Sequence, residues 1–138
     1  VQPGDVVLYK AEESLRRAES TRDAIERAEN IAESLRLFNR AAGSAARSVY
    51  PRLPDATRRY RALNDVRGTI ELPLRVATEL DPQDKAGDYV RDGRNAGDPR
   101  IGFLEERQEC YKLVVEVLGS YDDALDKATA AGPGQGEL

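Results

Sequence analysis

The stretch Ala24-Ile-Glu-Arg-Ala-Glu-Asn-Ile-Ala-Glu-Ser-Leu-Arg-Leu-Phe-Asn-Arg-Ala-Ala42 decides the fold class. Ala24, Ala28, Ile31, Leu35, Phe38 and Ala42 recur in alternating steps of four and three, with Ile25 and Ala32 widening the stripe, which is the period of an amphipathic helix. Gly43-Ser44 reads as its end. A stripe this short and this rich in Ala favours packing on an antiparallel neighbour over a coiled coil. Immediately upstream, Val7, Ala11, Leu15 and Ala18 predict such a neighbour over residues 5–19. Glu12–Arg16 and Glu13–Arg17 stand four apart with the acid first, each pair contributing about 0.2–0.5 kcal/mol on an exposed face. Ser20 or Thr21 is placed to cap the second helix, with Asp23 in its first turn. The two segments read as a helical hairpin.

Downstream the pattern stays helical. One turn fits between Ala45 and Leu53, stopped by Pro51 and Pro54, and Pro54-Asp55 opens a third helix because proline is tolerated at the first helical position. Ala56, Tyr60 and Leu63 line one side of it. The pattern continues through Val66, Ile70, Leu74 and Ala77, with Leu72, Val76 and Leu80 on a second side, so this helix is expected to lie between neighbours. Gly68 is expected to break or bend it, and Pro73 to kink it. Asp81-Pro82 closes the segment, and residues 81–100 read as a loop pinned by Tyr89 and Val90. Asp98-Pro99 opens the last long helix, whose stripe is Leu104, Tyr111, Val114 or Val115, and Leu118, extended by Phe103, Cys110 and Val117. Gly119 reads as its stop. Ser120-Tyr121-Asp122-Asp123 resembles a capping box for a short final helix through Ala130. No segment alternates with the period of a strand. The expectation is an all-α chain of five to seven helices over residues 1–131, stacked as antiparallel pairs, with a disordered Gly/Pro-rich tail over 132–138.

Composition narrows the function. The 138 residues carry a net charge of −4, a single Cys and no His. Histidine-bearing zinc and iron sites and His-based triads are therefore excluded, and one Cys closes no internal disulfide. No apolar run reaches the roughly 18 residues needed to span a bilayer, and no signal-like segment precedes the first charges. The chain starts at Val1 without an initiator Met, and is read as a piece of something longer.

Each cluster that could carry chemistry has a plainer account. Asp81, Asp84, Asp88, Asp92 and Asp98 suggest calcium, but the EF-hand register from Asp81 puts Lys85 at a ligand position and lacks the closing Glu, so they read as solvated loop acids. Glu105-Glu106 and Asp122-Asp123 are adjacent on a helix, about 100° apart, and cannot converge as an acid–base pair; near helix starts they complement the dipole. Residues 132–136 follow a helix and form no phosphate loop. Cys110 has no His to activate it and reads as a small core residue. No catalytic, cofactor-binding or metal-ligating residue is assigned, and the chain is not read as an enzyme. One feature leans toward binding: Arg47, Arg52, Arg58, Arg59, Arg61 and Arg67 face only Asp55 and Asp65. This basic stretch could receive RNA or an acidic peptide. The preferred reading is internal pairing with the acidic first hairpin, because the chain is acidic overall and aromatic residues are sparse.

Particular strings go further. Gly68-Thr-Ile-Glu-Leu-Pro-Leu-Arg-Val-Ala-Thr-Glu-Leu-Asp-Pro-Gln83 resembles, without a gap, a segment of the large inner-ring scaffold nucleoporins of the nuclear pore complex, in a fungal-like form. Glu106-Arg107 followed by Tyr111-Lys112 matches that family's Glu-Arg…Tyr-Lys helix, and residues 11–60 look like its two charged helices and connector. The chain departs from the pattern at Val66-Arg67, at Phe103-Leu104 and at Pro73, which bears on local helix geometry. The resemblance implies a fragment of a C-terminal α-solenoid at the nuclear envelope whose N-terminal β-propeller lies outside this chain. It implies an architectural role in nucleocytoplasmic transport, with other inner-ring scaffold and linker nucleoporins as partners. It implies no small-molecule substrate and no direct membrane contact from this fragment, and no binding residue is mapped.

Overall fold

The computed structural model describes residues 3–131, and all the regular structure in that span is helical. Six α-helices follow in order: α1 (Pro3–Ser20), α2 (Ala24–Val49), α3 (Leu53–Ala62), α4 (Leu72–Leu80), α5 (Lys85–Arg91) and α6 (Ile101–Ala131). A 3₁₀ turn at Tyr50–Arg52 leads into α3, and a π turn at Arg67–Glu71 leads into α4. The expected tail over 132–138 lies outside the described residues.

α1 and α2 form the predicted hairpin and bury Leu8, Ala11, Leu15 and Ala18 against Ile31, Leu35, Phe38 and Ala42. Leu8 occupies the core position, and Val7 packs at its edge. The cap between the helices is Asp23, whose carboxylate accepts from the amides of Ile25 (2.8 Å) and Glu26 (3.2 Å). Thr21 serves one step earlier, accepting from the amide of Asp23. The first turn of α2 overshoots the core, leaving Ile25 exposed. Glu13 pairs with both Arg16 and Arg17, whereas Glu12 turns to Arg52.

α2 runs past Gly43-Ser44 and breaks instead at Ala45, whose φ of −149° and ψ of 53° are non-helical. Glycine in a helix costs only about 1 kcal/mol relative to alanine, and without a left-handed cap it does not stop one. From there the rows continue as neighbours: α2 packs on α4 and α4 on α6, with α3 seated against the π turn and the side of α6. Leu53, Tyr60, Leu72, Val76, Ala77 and Cys110 join the hairpin residues in one core.

The expected bend at Gly68 and kink at Pro73 resolve into a single feature. The amide of Leu72 reaches back five residues to the carbonyl of Arg67, so the helix is widened by one residue just before the proline. A prolyl ring collides with the carbonyl four residues back in a regular helix, and the wider turn removes that conflict. The preceding loop turns on Asn64, held at φ 59°, and the Asp65 carboxylate accepts from the amide of Gly68.

Two expectations fail near the C-terminal end. Residues 81–100 hold α5, which buries Ala86 and Tyr89 while Val90 stays 38% exposed. α6 continues through Gly119 and Ser120 without a break, so no separate final helix forms and Asp122-Asp123 sit mid-helix, exposed and far from any helix start. Asp98 lies three residues ahead of α6 and is clasped by Arg100 at 2.7 Å.

Candidate functional site

The arginine-rich stretch is a set of clasps. Arg52 pairs with Glu12 and Arg59 with Glu19, both across 40 residues of sequence. Arg47 pairs with Glu106 and Arg61 donates to the hydroxyl of Ser120, both across 59 residues. A constant offset at two points means that two elements run side by side in the same direction. The segment from Arg47 through the 3₁₀ turn to Arg61 in α3 therefore runs alongside α1 on one flank and α6 on the other. Arg58 is taken by Asp55 within α3. Only Arg67 of the six has no ion pair or side-chain hydrogen bond among the described residues. The preferred internal reading holds for Arg52 and Arg59, which meet the acidic first hairpin, while Arg47 and Arg61 reach α6. A stretch committed in this way offers little charge to RNA.

The strings that carried the family resemblance meet in space. Asp81 is 5% exposed, and its carboxylate accepts from the amides of Lys85 (2.7 Å) and Ala86 (2.9 Å) and from Arg107 at 2.9 Å. It is thus a buried, fully partnered carboxylate at the start of α5, where the reading of solvated loop acids misplaces it. Arg107 also reaches Asp84 at 3.0 Å, and this pair holds the Asp84 carboxyl below its usual range. Arg107 so ties the end of α4 and the start of α5 to α6. Neighbouring Phe103 lies between two cations, with Lys85 5.1 Å and Arg47 5.8 Å from its ring centre.

Gly68 and Tyr60 explain the start of the same string. A Cβ at position 68 would sit 2.1 Å from Cγ of Tyr60, so only glycine lets the π turn close over the ring. Tyr60 is wholly buried, meets Phe38 edge-on at 6.2 Å, and shares a 2.7 Å hydrogen bond with Ser34. Burial pushes its phenol well above the ordinary tyrosine range. The Cys110 thiol is likewise pushed up to about 11, by burial first and then by Glu106 and Glu109. A thiol so held is a core residue without nucleophilic character at neutral pH.

Among the described residues no group of three His, Cys, Asp or Glu could hold a metal ion. No described helix is long and apolar enough to cross a membrane. What the surface does offer is apolar. The stripe predicted for α6 divides: Tyr111, Val115 (64% exposed) and Leu118 lie open, while Val114, the alternative to Val115, and the extending residues Cys110 and Val117 are buried. Along the π turn and α4, Val66 and Leu74 are exposed beside a half-buried Ile70. The two-sided pattern of α4 is thus half used. The other notable feature is an open groove of about 590 Å³ between α3 and α6, floored by Pro51, Pro54, Thr57, Leu113 and Val117.

Comparison with known proteins gives these features a family. The family described as "Non-repetitive/WGA-negative nucleoporin C-terminal" matches residues 1–138. Nucleoporin NUP170 of Chaetomium thermophilum is 38% identical over 132 residues, covering 95% of this chain and 9% of that protein. Probable nucleoporin C890.06 of Schizosaccharomyces pombe is 34% identical over 127 residues, covering 92% of this chain and 9% of the relative. The chain thus spans about a tenth of the length of these curated relatives. In three dimensions a methionine-substituted Chaetomium thermophilum Nup170 CTD matches with a TM-score of 0.79 at 36% identity, covering 89% of this chain and 23% of that one. The Nup170 SOL structure matches with 0.78 at 37% identity, covering 94% and 17%. Relatives of this kind are nucleoporins of the nuclear pore complex, structural and non-enzymatic. On sequence and on fold, the chain belongs to the nucleoporin C-terminal family, of the Nup170 type.

Proposed function

We propose that this chain is a segment of an inner-ring scaffold α-solenoid over residues 1–131, which acts by stacking helices and by receiving segments of linker nucleoporins. One observation carries the reading: α6 turns Tyr111, Val115 and Leu118 outward at helical spacing, while among the described residues no buried polar side-chain atom lacks a partner. An apolar stripe of this kind loses free energy in water and gains it against another helix, roughly 25 cal/mol per Å² covered. In helical repeat proteins each unit buries its faces only against its neighbours.

The test is carried out in a full-length Nup170-type nucleoporin bearing a fluorescent tag. Glutamate at the positions equivalent to Tyr111, Val115 and Leu118 is expected to remove the protein from the nuclear rim, and undiminished rim signal would overturn the stacking role. For linker binding, calorimetric titration of this chain with peptides tiled across the linker nucleoporins is expected to yield at least one saturating isotherm. Failure of every peptide at high micromolar concentration would place recognition elsewhere in the solenoid.

A further inference from the structure

Ser120-Tyr121-Asp122-Asp123 has no capping role, because α6 runs straight through it. The Ser120 hydroxyl instead accepts from Arg61, an exposed residue of α3 that meets no carboxylate among the described residues. A guanidinium held by a neutral hydroxyl is a cation still without an anion. Three serine or threonine residues have an acid three residues later: Ser20 with Asp23, Thr78 with Asp81, and Ser120 with Asp123. Asp23 is occupied by the amides of Ile25 and Glu26, and Asp81 is buried on Arg107 and two amides. Asp122 and Asp123 are exposed, and form no ion pair among the described residues. The end of α6 is also loosely held. After Val117 no described side chain is buried, and Gly119 costs the helix about 1 kcal/mol relative to alanine. Terminal turns without buried contacts open at little cost.

We propose that Ser120 is a phosphorylation site for an acidophilic protein kinase, and that Arg61 receives the phosphate and fastens the last turns of α6 to α3. Asp122 and Asp123 are the free acids that a basic kinase groove reads once these turns open. The Ser120 oxygen bonds to the γ-phosphorus of ATP as the bond from that phosphorus to the β,γ-bridging oxygen breaks. ADP leaves, and the hydroxyl proton passes to the catalytic carboxylate of the kinase. The phosphate carries a charge of about −1.5 to −2 and three acceptor oxygens, so a neutral contact with Arg61 becomes a charge-assisted one. The nearest like charge on that face is Glu116, one turn earlier, which lines the groove beside Arg61. Its single charge competes weakly with a phosphate for the guanidinium. Ser120 faces α3, apart from the open stripe of Tyr111, Val115 and Leu118, so the site does not depend on the scaffold reading.

The test incubates this chain with purified casein kinase 2 and ATP, and locates phosphate by fragmentation mass spectrometry. One phosphate is expected, on Ser120, and none in Ser120→Ala. Asp123→Asn is expected to slow incorporation about tenfold or more, the worth of one charge-assisted contact. The role of Arg61 is read by phosphorus NMR of the modified chain. The second phosphate pKa is expected to lie about 0.5 below that of the phosphorylated Arg61→Gln chain, as for an exposed ion pair. Amide exchange over residues 118–123 is expected to slow on phosphorylation of the unaltered chain and not of Arg61→Gln. These substitutions are at the surface and leave the core intact, which circular dichroism checks. Failure of the folded chain to take up phosphate, or phosphate on Ser20 or Thr78 instead, would overturn the site. A phosphate pKa indifferent to Arg61→Gln, or exchange that stays the same or quickens, would overturn the fastening by Arg61.

Discussion

Gly68 lies close over the ring of Tyr60, and both ends of this contact are testable. Gly68→Ala drives a methyl into the ring that Phe38 and Ser34 already fix from the other sides, so the π turn must shift. Overpacking of this kind costs about 1–3 kcal/mol or more, read as a lower urea midpoint with an unchanged slope. Tyr60→Phe keeps the packing and removes one hydrogen bond, at about 1 kcal/mol, since Ser34 retains its bond to the carbonyl of Ile31. The same variant changes the alkaline limb of stability. Below the ordinary tyrosine pKa of about 10, folded and unfolded chains both hold the phenolic proton and the contribution is complete. Above it the unfolded chain releases a proton that buried Tyr60 retains, so stability falls as pH rises toward the folded pKa. Tyr60→Phe is expected to flatten that fall in thermal melts taken above pH 10. Cys110, raised to about 11, is expected to resist thiol reagents at pH 8 until urea opens the core.

At the scale of elements, Asp81 joins three helices. Asp81→Ala leaves two amides at the start of α5 without an acceptor and Arg107 without its buried partner. The expected cost is about 3 kcal/mol by urea denaturation, with faster hydrogen exchange at Lys85 and Ala86. The ion pairs of α3 behave differently. Arg52 and Glu12 are each about a third or more exposed, so Arg52→Ala is expected to cost under about 1 kcal/mol, and less at high salt. Helix existence was legible because the period of 3.6 survives wherever one face is buried, as from Ile31 to Ala42. Helix ends were less so. Gly43 and Gly119 read as stops, but a stop needs a left-handed residue and a partner for the freed carbonyls, and neither glycine has a positive φ. α5 was missed because its seven residues bury only Ala86 and Tyr89, too few to set a period. Asp81 was misread for a related reason: what buries it, Arg107, lies 26 residues away.

For the whole molecule, the sequence marks which residues are apolar but not which neighbour each face meets. The α6 stripe of Tyr111, Val115 and Leu118 shows this best, because it reads as core and faces water. The same open stripe predicts self-association of this chain at high concentration. Val115→Lys is expected to shift sedimentation equilibrium toward monomer while leaving the melting temperature within a few degrees, since an exposed position contributes little to folding. The recognised family strings proved informative because they mark joints: Gly68 seats a ring, Asp81 starts a helix and Arg107 fastens it.

The paired offsets of 40 and 59 residues that hold the segment from Arg47 to Arg61, and with it α3, between α1 and α6 have a consequence for change over time. An extra residue inside α3 would advance everything after it by 100°, throwing Arg59 and Arg61 out of step with opposite flanks at once. The segment 92–99, which carries left-handed residues and no buried side chain, absorbs added length without moving either rank. Homologues of this domain should therefore vary in length at that connector and keep α3 at constant length, like a ruler between two scales.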